Sequence, residues 1–428
     1  MKSLSTYQLN GMDNGKRNFL SVILLLLMPF IVSAQYEIRG QVVAGDDQSP
    51  LPGANVFFAN TTKGSSTNAN GEFAFYNLPP GRLQLVISFV GYETMILELK
   101  TPLDRKLKII LKPSAVQLRG ITIHDKRQRY SDWLDYLRIF KENFIGQSSN
   151  AKLCELVNPK ILSFDNDKDR LVATADTSLV IINRALGYQL KFLLETFSLT
   201  YLTHIIRYEA QFVFKPLSPA DEAERKYWAT NRLRAYYGSE MHFMRALYKK
   251  RLLEEGFFVT LNKEGYDKSG RKINEAIADT AIFIESPVFQ KGKVKMPIVY
   301  YNKILDSVRS TPTQPILSFQ GNLEITYVNE RESLEYQRIR NSSQVGFKNF
   351  QMSQLFLLKP SFVVEPNGQI YMEDILSKVY WSWELVADSL PFDYDPEEDR
   401  KLFSESEIKS LFKTSEIIKY GKYEKPLK

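Results

Sequence analysis

Between residues 36 and 112, apolar and polar residues alternate over short runs that are separated by turn residues. Ile38 and Val42 fall on one face of the first run, which has the period of two typical of a half-buried strand. Asn70 and Gly71 suit a tight hairpin turn, because both residues tolerate a positive φ. This pattern predicts an antiparallel β-sandwich built from several short strands.

A helical period follows the predicted sandwich. Residues 128–144 place Trp133, Leu137, Phe140 and Phe144 three or four positions apart, so that they share one face of a helix. We interpret this segment as an amphipathic helix that joins the two halves of the chain.

The second half of the chain mixes strand and helix signals. A helical stretch at residues 218–255 has Ser218 as its expected N-cap and a predicted break at Gly238 and Ser239. The remaining signals are runs rich in β-branched and aromatic residues. These predicted strands cover residues 171–175, 178–183, 188–197, 201–214, 257–262, 281–285, 296–301, 317–328 and 361–364.

The predicted fold is therefore mainly β with an α+β part. We expect a signal peptide at residues 1–34, a β-sandwich at 35–113, a connector with its amphipathic helix at 114–150, and an α+β domain rich in antiparallel sheet at 151–428.

The N-terminus has the pattern of a secretory signal. Lys16 and Arg17 precede an apolar stretch at residues 19–32, and small residues end at Ala34. The apolar stretch is shorter than the ~20 residues that a membrane-spanning helix needs. We expect an exported protein of the periplasm or the outer-membrane periphery, with peripheral membrane association at most.

Composition narrows the classes of function. The formal net charge is +7 over 428 residues, which gives no support for nucleic acid as a partner. Cys154 is the only cysteine, so no disulfide can form within the chain, and we expect a small buried apolar residue there.

Three runs of the first half carry a family resemblance: PLPGANVFF (residues 50–58), TNANGEFAFYNLPPG (67–81) and LQLVISFVGYE (83–93). There the chain resembles the carboxypeptidase-regulatory-like module of Bacteroidota envelope proteins. The resemblance implies a transthyretin-like sandwich of about seven strands. The run PSAVQLRGITI (113–123) looks like the segment that follows this module in TonB-linked outer-membrane receptors.

Residues 227–257 and 379–394 are similar to an uncharacterised Bacteroidota family that pairs the same two regions. This second resemblance covers nearly the whole mature chain and implies almost nothing about activity.

The sequence contains no motif for carboxypeptidase chemistry. Zinc carboxypeptidases bind their metal through a His-x-x-Glu pair and a second histidine. The three histidines here, His124, His204 and His242, are each followed three positions later by arginine. We therefore predict no catalytic residues, no metal and no cofactor, and a protein that is not an enzyme.

Basic and aromatic residues interleave in the helical stretch, and two tryptophans follow near residue 380. They suggest a surface for a protein or glycan partner. The predicted surface comprises Tyr236, Tyr237, His242, Arg245, Trp381 and Trp383. The alternative is that the aromatic side chains and His242 belong to the core, and we favour it for each of these residues when the residue is considered by itself. Alternation would place both tryptophans on one face of a strand.

Two acidic runs have some features of calcium sites. Asp165, Asp167 and Asp169 alternate as in a calcium loop, but Arg170 replaces the glycine that such a loop requires, so a solvated hairpin turn is favoured. Residues 393–399 hold five carboxylates, and we favour an unpaired solvent loop.

These observations predict an exported, non-enzymatic envelope protein that acts as a binding or scaffold module for a protein or glycan partner. The alternative is a hydrolase with an unrecognised site in the C-terminal domain, which would need polar residues clustered around His242 or His204.

Overall fold

A computed structural model describes most of the chain: residues 36–79, 81–101, 106–114, 130–262, 301–339, 350–370 and 374–411, and four two-residue strand pieces between residues 265 and 294. The predicted signal peptide lies outside the described residues. The described part is mostly β, with several antiparallel sheets, which confirms the predicted fold class.

The N-terminal part is a sandwich of two sheets. Its seven strands are β1 (Tyr36–Ala44), β2 (Asn55–Phe58), β3 (Gly64–Ser66), β4 (Glu72–Leu78), β5 (Arg82–Ser88), β6 (Met95–Lys100) and β7 (Leu107–Leu111). One sheet has the order β4-β1-β7 and the other β3-β2-β5-β6. Alternate residues of both sheets, such as Ile38, Phe58 and Leu85, pack into one buried apolar core between them.

The turn at Asn70 and Gly71 differs from the prediction. Asn68 accepts hydrogen bonds from the backbone N–H groups of Asn70 and Glu72 through its side chain, so a tight turn does form. However, β3 pairs with β2, whereas β4 pairs with β1. The turn therefore carries the chain from one sheet to the other and does not close a hairpin.

A larger sheet of six strands begins the C-terminal region. Its strands are β8 (Cys154–Leu156), β9 (Leu162–Asn166), β10 (Arg170–Ala175), β11 (Leu179–Asn183), β12 (Tyr188–Thr200) and β13 (Ile205–Pro216). Strand β12 pairs with β13 along its whole length, and β10 and β11 pair with opposite ends of β12. The predicted strand at residues 201–214 begins later than expected, because residues 201–204 form the turn of this long hairpin.

Helix α1 (Tyr130–Phe144) matches the predicted amphipathic helix, but it is more than a connector. Phe140 and Phe144 are fully buried and pack against Phe192 and Phe197 of β12. The helix therefore belongs to the core of the C-terminal region.

Two helices follow the larger sheet: α2 (Glu222–Tyr236) and α3 (Glu240–Tyr248). Ser239 caps α3 through a hydrogen bond from the His242 backbone N–H, which confirms the predicted break. The predicted cap at Ser218 is wrong, because Asp221 accepts the bond from the Glu224 backbone N–H. The helical stretch also ends at Tyr248 and not at residue 255, since residues 252–256 form turns.

The next sheet, which we call the α3 sheet, packs against α3. Its strands are β14 (Phe257–Asn262), β20 (Asn322–Tyr327), β21 (Gln351–Leu357) and β23 (Ile375–Val379), paired in that order. Phe243, Phe257 and Leu355 lie in its buried core. The predicted strand at residues 281–285 lies outside the described residues, as do residues 296–300 of the next one.

The remaining elements are short. The strand pieces are β15 (Gly265–Tyr266), β16 (Lys272–Ile273), β17 (Phe289–Gln290), β18 (Lys293–Val294), β19 (Ile316–Leu317) and β22 (Phe362–Val363). The short helices are α4 (Leu334–Ile339), α5 (Pro396–Arg400) and α6 (Glu405–Leu411). Residues 380–395 form a strap that runs from the α3 sheet to the core of the larger sheet. There Val386, Leu390 and Tyr394 are buried.

The sandwich packs on the edge of the larger sheet. The backbone N–H of Asn60 donates to Phe212 of β13, and the backbone N–H of Phe214 donates to Thr61. Phe57, Ala59 and Val86 bury an apolar contact against Leu193 and Val213. Residues of the β2–β3 turn thus extend the β12–β13 hairpin.

Candidate functional site

An open cleft of about 330 Å³ lies where the sandwich meets the C-terminal region. One wall comes from the sandwich, at Lys63 and at the end of β4. The other wall comes from the end of α3, from the turn after β22 and from the strap. The lining residues are Lys63, Asn77, Leu78, Pro79, Arg245, Lys249, Pro366, Asn367, Phe392, Asp393, Tyr394 and Asp395. Clefts between two domains are frequent ligand sites, so we take this one as the candidate site.

The two walls are joined by polar contacts beside the cleft. The Asp393 carboxylate accepts a hydrogen bond from the Thr62 backbone N–H at 2.8 Å and one from the Thr62 hydroxyl at 2.5 Å. On the other side, Glu365 is buried and accepts a hydrogen bond from the Arg82 backbone N–H at 3.3 Å. These contacts fix the relative position of the walls.

Arg245 lies on the floor of the cleft and is 9% exposed. Its guanidinium donates to three backbone carbonyls: Asn367 at 2.9 Å, Tyr394 at 2.9 Å and Phe392 at 3.1 Å. It also lies 5.4 Å from the ring centroid of Tyr236. No carboxylate among the described residues lies within 4.0 Å of it, so its positive charge has no anionic partner there.

Asn367 is the other buried polar side chain on the floor, at 5% exposure. Its Oδ1 accepts a hydrogen bond from the Gln369 backbone N–H, which identifies Nδ2 as the remaining atom. That Nδ2 is buried and has no hydrogen-bond partner in the described structure. A buried donor without a partner is rare and costs about 1–3 kcal/mol.

The predicted partner surface is mostly interior. Tyr236, His242, Arg245 and Trp381 are buried, whereas Tyr237 and Trp383 are partly exposed. The first four cannot form an exposed face in this structure, and Arg245 is the one that also lines the cleft.

His242 is enclosed by the rings of Tyr236, Tyr237, Phe257 and Tyr327. The backbone N–H of Gly238 donates to its Nδ1 at 3.1 Å, so Nε2 carries the proton and donates to Glu255 at 3.3 Å. Burial lowers the pKa of His242, and the hydrogen bond from His242 lowers the pKa of Glu255. A neutral ring with both nitrogens engaged has no free base to offer a substrate.

The other histidine of the hydrolase alternative, His204, is exposed in the turn between β12 and β13. Neither histidine therefore lies in a pocket of clustered polar residues.

The tryptophans do not lie on a strand, because residues 380–383 form a turn after β23. Trp381 donates from Nε1 to the Gly238 carbonyl at 2.8 Å and packs against Phe243. Gly238 has φ +86°, and a Cβ there would clash with Gln351 Oε1 and lie 2.7 Å from the Tyr327 ring. The junction between α2 and α3 thus requires glycine.

Of the two acidic runs, the first is the expected hairpin turn. Asp167 accepts hydrogen bonds from the backbone N–H groups of Asp169 and Arg170 between β9 and β10. Within the described ranges, no group of three or more His, Cys, Asp or Glu side chains is placed to hold a metal ion.

The second acidic run is not an unpaired solvent loop. Asp395 caps α5, and Asp399 is buried and forms a two-point ion pair with Arg232 at 2.6 and 2.7 Å. The Tyr394 hydroxyl also donates to Asp399 at 2.9 Å. No local sequence pattern signals this pairing, because the two partners lie 167 residues apart in the chain.

Comparison with known proteins identifies the sandwich. The sequence profile of the CarboxypepD_reg-like domain matches residues 38–123. These residues are a CarboxypepD_reg-like domain.

Two relatives of part of this chain are TonB-dependent receptors of Formosa agariphila. One is 37% identical over 83 residues, which are 19% of this chain and 8% of the receptor. The other is 21% identical over 140 residues, which are 33% of this chain and 13% of the receptor. The chain thus spans about a tenth of the length of these relatives.

One similar solved structure is 3-chlorocatechol 1,2-dioxygenase from Rhodococcus opacus, which is 15% identical to this chain. The match covers 18% of this chain and 59% of the dioxygenase chain, with a TM-score of 0.16. Another is a DUF3823 family protein from Parabacteroides merdae, which is 10% identical to this chain. The match covers 43% of this chain and 98% of the DUF3823 chain, with a TM-score of 0.14. Scores this low support no inference about this protein.

The C-terminal region that the CarboxypepD_reg-like domain contacts holds a group of carboxyls with raised pKa values. Burial raises the pKa of Glu240 to about 7, of Glu330 to about 8 and of Asp388 to about 6. Burial and repulsion from these three raise the pKa of Glu384 well above its usual value. The raised pKa values favour the protonated forms of these carboxyls relative to exposed Asp and Glu.

The structure brings together cleft residues that no sequence pattern connects, above all Lys63, Lys249 and Asn367. Lys63 belongs to the CarboxypepD_reg-like domain, and the other two belong to the C-terminal region. No local spacing connects them, since only the packing of the two parts brings them together.

Proposed function

We propose that this protein is a non-enzymatic binding or scaffold module of the bacterial cell envelope, and that the interdomain cleft receives its partner, an envelope protein or a glycan. The observation that carries the proposal is the cleft itself, which is open and has one wall from each part of the chain. A partner that contacts both walls would be recognised by the pair and not by either part alone.

The envelope location rests on two supports. The sequence predicts export, and two proteins that are similar to part of this chain are named TonB-dependent receptors. No helix among the described residues is long and apolar enough to cross a lipid bilayer.

A binding role also agrees with the chemistry of the described residues. His242 uses one ring nitrogen to accept from Gly238 and the other to donate to Glu255. The thiol of Cys154 is held protonated, because burial raises its pKa to about 12. Neither group is prepared to act as a base or a nucleophile.

The experiment uses envelope membranes from the source bacterium, washed in high salt to remove peripheral protein. The purified protein is added back, the membranes are sedimented, and the retained fraction is measured. We expect retention by the unaltered protein and loss of most of it in the double variant Lys63→Glu, Lys249→Glu.

The matched control is Lys160→Glu, Lys215→Glu, which makes the same charge change at exposed positions outside the cleft. Equal retention of both double variants would contradict a role for the cleft. Pretreating the membranes with protease or with periodate tells a protein partner from a glycan. Hydrolysis of a peptide or ester substrate that is lost in His242→Gln would instead support the hydrolase alternative.

A further inference from the structure

The cleft has an excess of hydrogen-bond donors. Arg245 has five N–H groups and uses three of them on backbone carbonyls. Its guanidinium also interacts with the side chain of Tyr236, so at most two N–H groups remain for the cleft. The Nδ2 of Asn367 also has no acceptor within the described structure, but this atom is fully buried and is not counted among the donors open to the cleft. Lys63 and Lys249 add an ammonium group from each wall, and neither forms an ion pair with a carboxylate among the described residues.

The acceptors of the cleft are largely occupied. Both carboxylate oxygens of Asp393 accept hydrogen bonds from Thr62. The carbonyls of Asn367, Phe392 and Tyr394 accept from Arg245. Asp395 is exposed at the rim and uses Oδ1 to cap α5. The group that best completes this arrangement supplies acceptors and negative charge.

We propose that the cleft binds an oxyanion, a carboxylate or phosphate group of the partner, between Lys63 and Lys249 and above Arg245. The inference deepens the proposed function, on which it rests, because it names the chemical group by which the partner is held. The three cations outnumber the two carboxylates of the cleft, and the buried guanidinium is fixed in position before a ligand arrives.

The test is calorimetric titration of the full-length protein with glucuronate, inorganic phosphate and, as the neutral probe, glucose at low ionic strength. We expect at least one of the two anions to bind and glucose not to bind. Glucuronate alone assigns a carboxylate, and phosphate alone assigns a phosphate group. Since exposed charges are screened by salt, affinity should fall when sodium chloride rises from about 10 to about 200 mM.

Three variants in the cleft and one control outside it locate the bound anion. Lys63→Glu and Lys249→Glu should each weaken binding by about five- to tenfold, because each replaces an attraction with a repulsion. Lys160→Glu should leave affinity unchanged. Asp395→Asn should strengthen binding by about two- to threefold, because it removes a negative charge from the rim while asparagine still caps α5.

Absence of binding for both anions would overturn the inference, and so would equal affinity in Lys63→Glu, Lys249→Glu and Lys160→Glu. Either result leaves the proposed function standing if the double variant still loses its envelope retention. Conversely, oxyanion binding with unchanged retention of the double variant would support the inference and contradict the proposed function.

Discussion

The CarboxypepD_reg-like domain and the C-terminal region bury different kinds of residue. In the described part of the domain, the buried polar side chains are three threonines, Thr61, Thr67 and Thr101, and each donates its hydroxyl to a backbone carbonyl. The C-terminal region instead buries charged and ionisable groups, among them Arg245, His242 and Asp399. The domain is held mainly by apolar packing, whereas the C-terminal region also depends on how its buried charges are paired.

The largest expected effect is in the ion pair of Arg232 and Asp399, whose side chains are only 14% and 10% exposed. Arg232→Ala leaves Asp399 buried without its cation, so the free energy of unfolding should fall by about 3–5 kcal/mol. Urea unfolding measures the change. The control Arg225→Ala breaks an exposed pair with Glu222 and should cost less than about 1 kcal/mol. Similar losses of unfolding free energy in the two variants would show that the buried pair stabilises the protein no more than an exposed pair does.

Two glycines with similar backbone conformations, one in each region, allow the cost of adding a Cβ atom to be compared. Gly53 of the domain has φ +78° and open space where a Cβ would lie, while Gly238 has φ +86° and a Cβ there would meet Gln351 and Tyr327. Gly53→Ala should cost about 1 kcal/mol, from the left-handed backbone alone. Gly238→Ala should cost about 2–4 kcal/mol, because the clash adds to that strain. Equal costs in thermal or urea unfolding would mean that the neighbours of Gly238 move aside freely.

The raised pKa of Glu330 makes the C-terminal region sensitive to pH. The folded state holds the Glu330 proton up to a pH of about 8, whereas the unfolded chain releases it near pH 4.5. The folded state thus binds more protons across this window, and stability falls as pH rises through it. Glu330→Gln removes the titrating group and should raise the free energy of unfolding at pH 8.5 by about 1–3 kcal/mol, with little change at pH 4.

Urea unfolding at several pH values checks this prediction. Its control is Glu98→Gln, at an exposed position of the CarboxypepD_reg-like domain, which should leave the pH profile of the protein unchanged. A Glu330→Gln variant with the same pH profile as the unaltered protein would contradict a neutral Glu330.

The smallest effect is expected where the two regions meet. Asp393→Ala removes the acceptor of the Thr62 backbone N–H and hydroxyl and should cost about 1–2 kcal/mol. The Thr62 amide should also exchange its hydrogen faster with solvent, which is read by hydrogen exchange. In the control Asp169→Ala, which alters an exposed turn, Thr62 should keep its protection. Unchanged hydrogen exchange of the Thr62 amide in Asp393→Ala would show that other contacts hold the two regions together at this point.

Local patterns predicted local structure well. Ser239 caps α3 as expected, since capping depends on a residue and the N–H groups that follow it within one turn. The strands around Ile38 and Leu171 also lie where alternation placed them. The tryptophan run failed as a strand, because the turn at residues 380–383 is fixed by packing, with Trp381 bonded to the carbonyl of Gly238.

The candidate site was predictable only in part. Arg245 stood among the predicted residues because it belongs to a basic and aromatic helix. Lys63 and Asn367 carry no such signal, since a lone surface lysine and a lone asparagine have no pattern of their own.

By itself, the sequence determined the class of fold, the N-terminal domain family and the positions of α1 and of strands such as β1, β10 and β12, because each depends on neighbours along the chain. It did not predict β21 and β23, which are half of the sheet that packs against α3. The tertiary structure decided which charges are buried, which are paired, and that Lys63 faces Arg245 and Lys249 across one cleft. The physical reason is that burial and charge pairing depend on distances in space, and those distances join residues far apart in the chain.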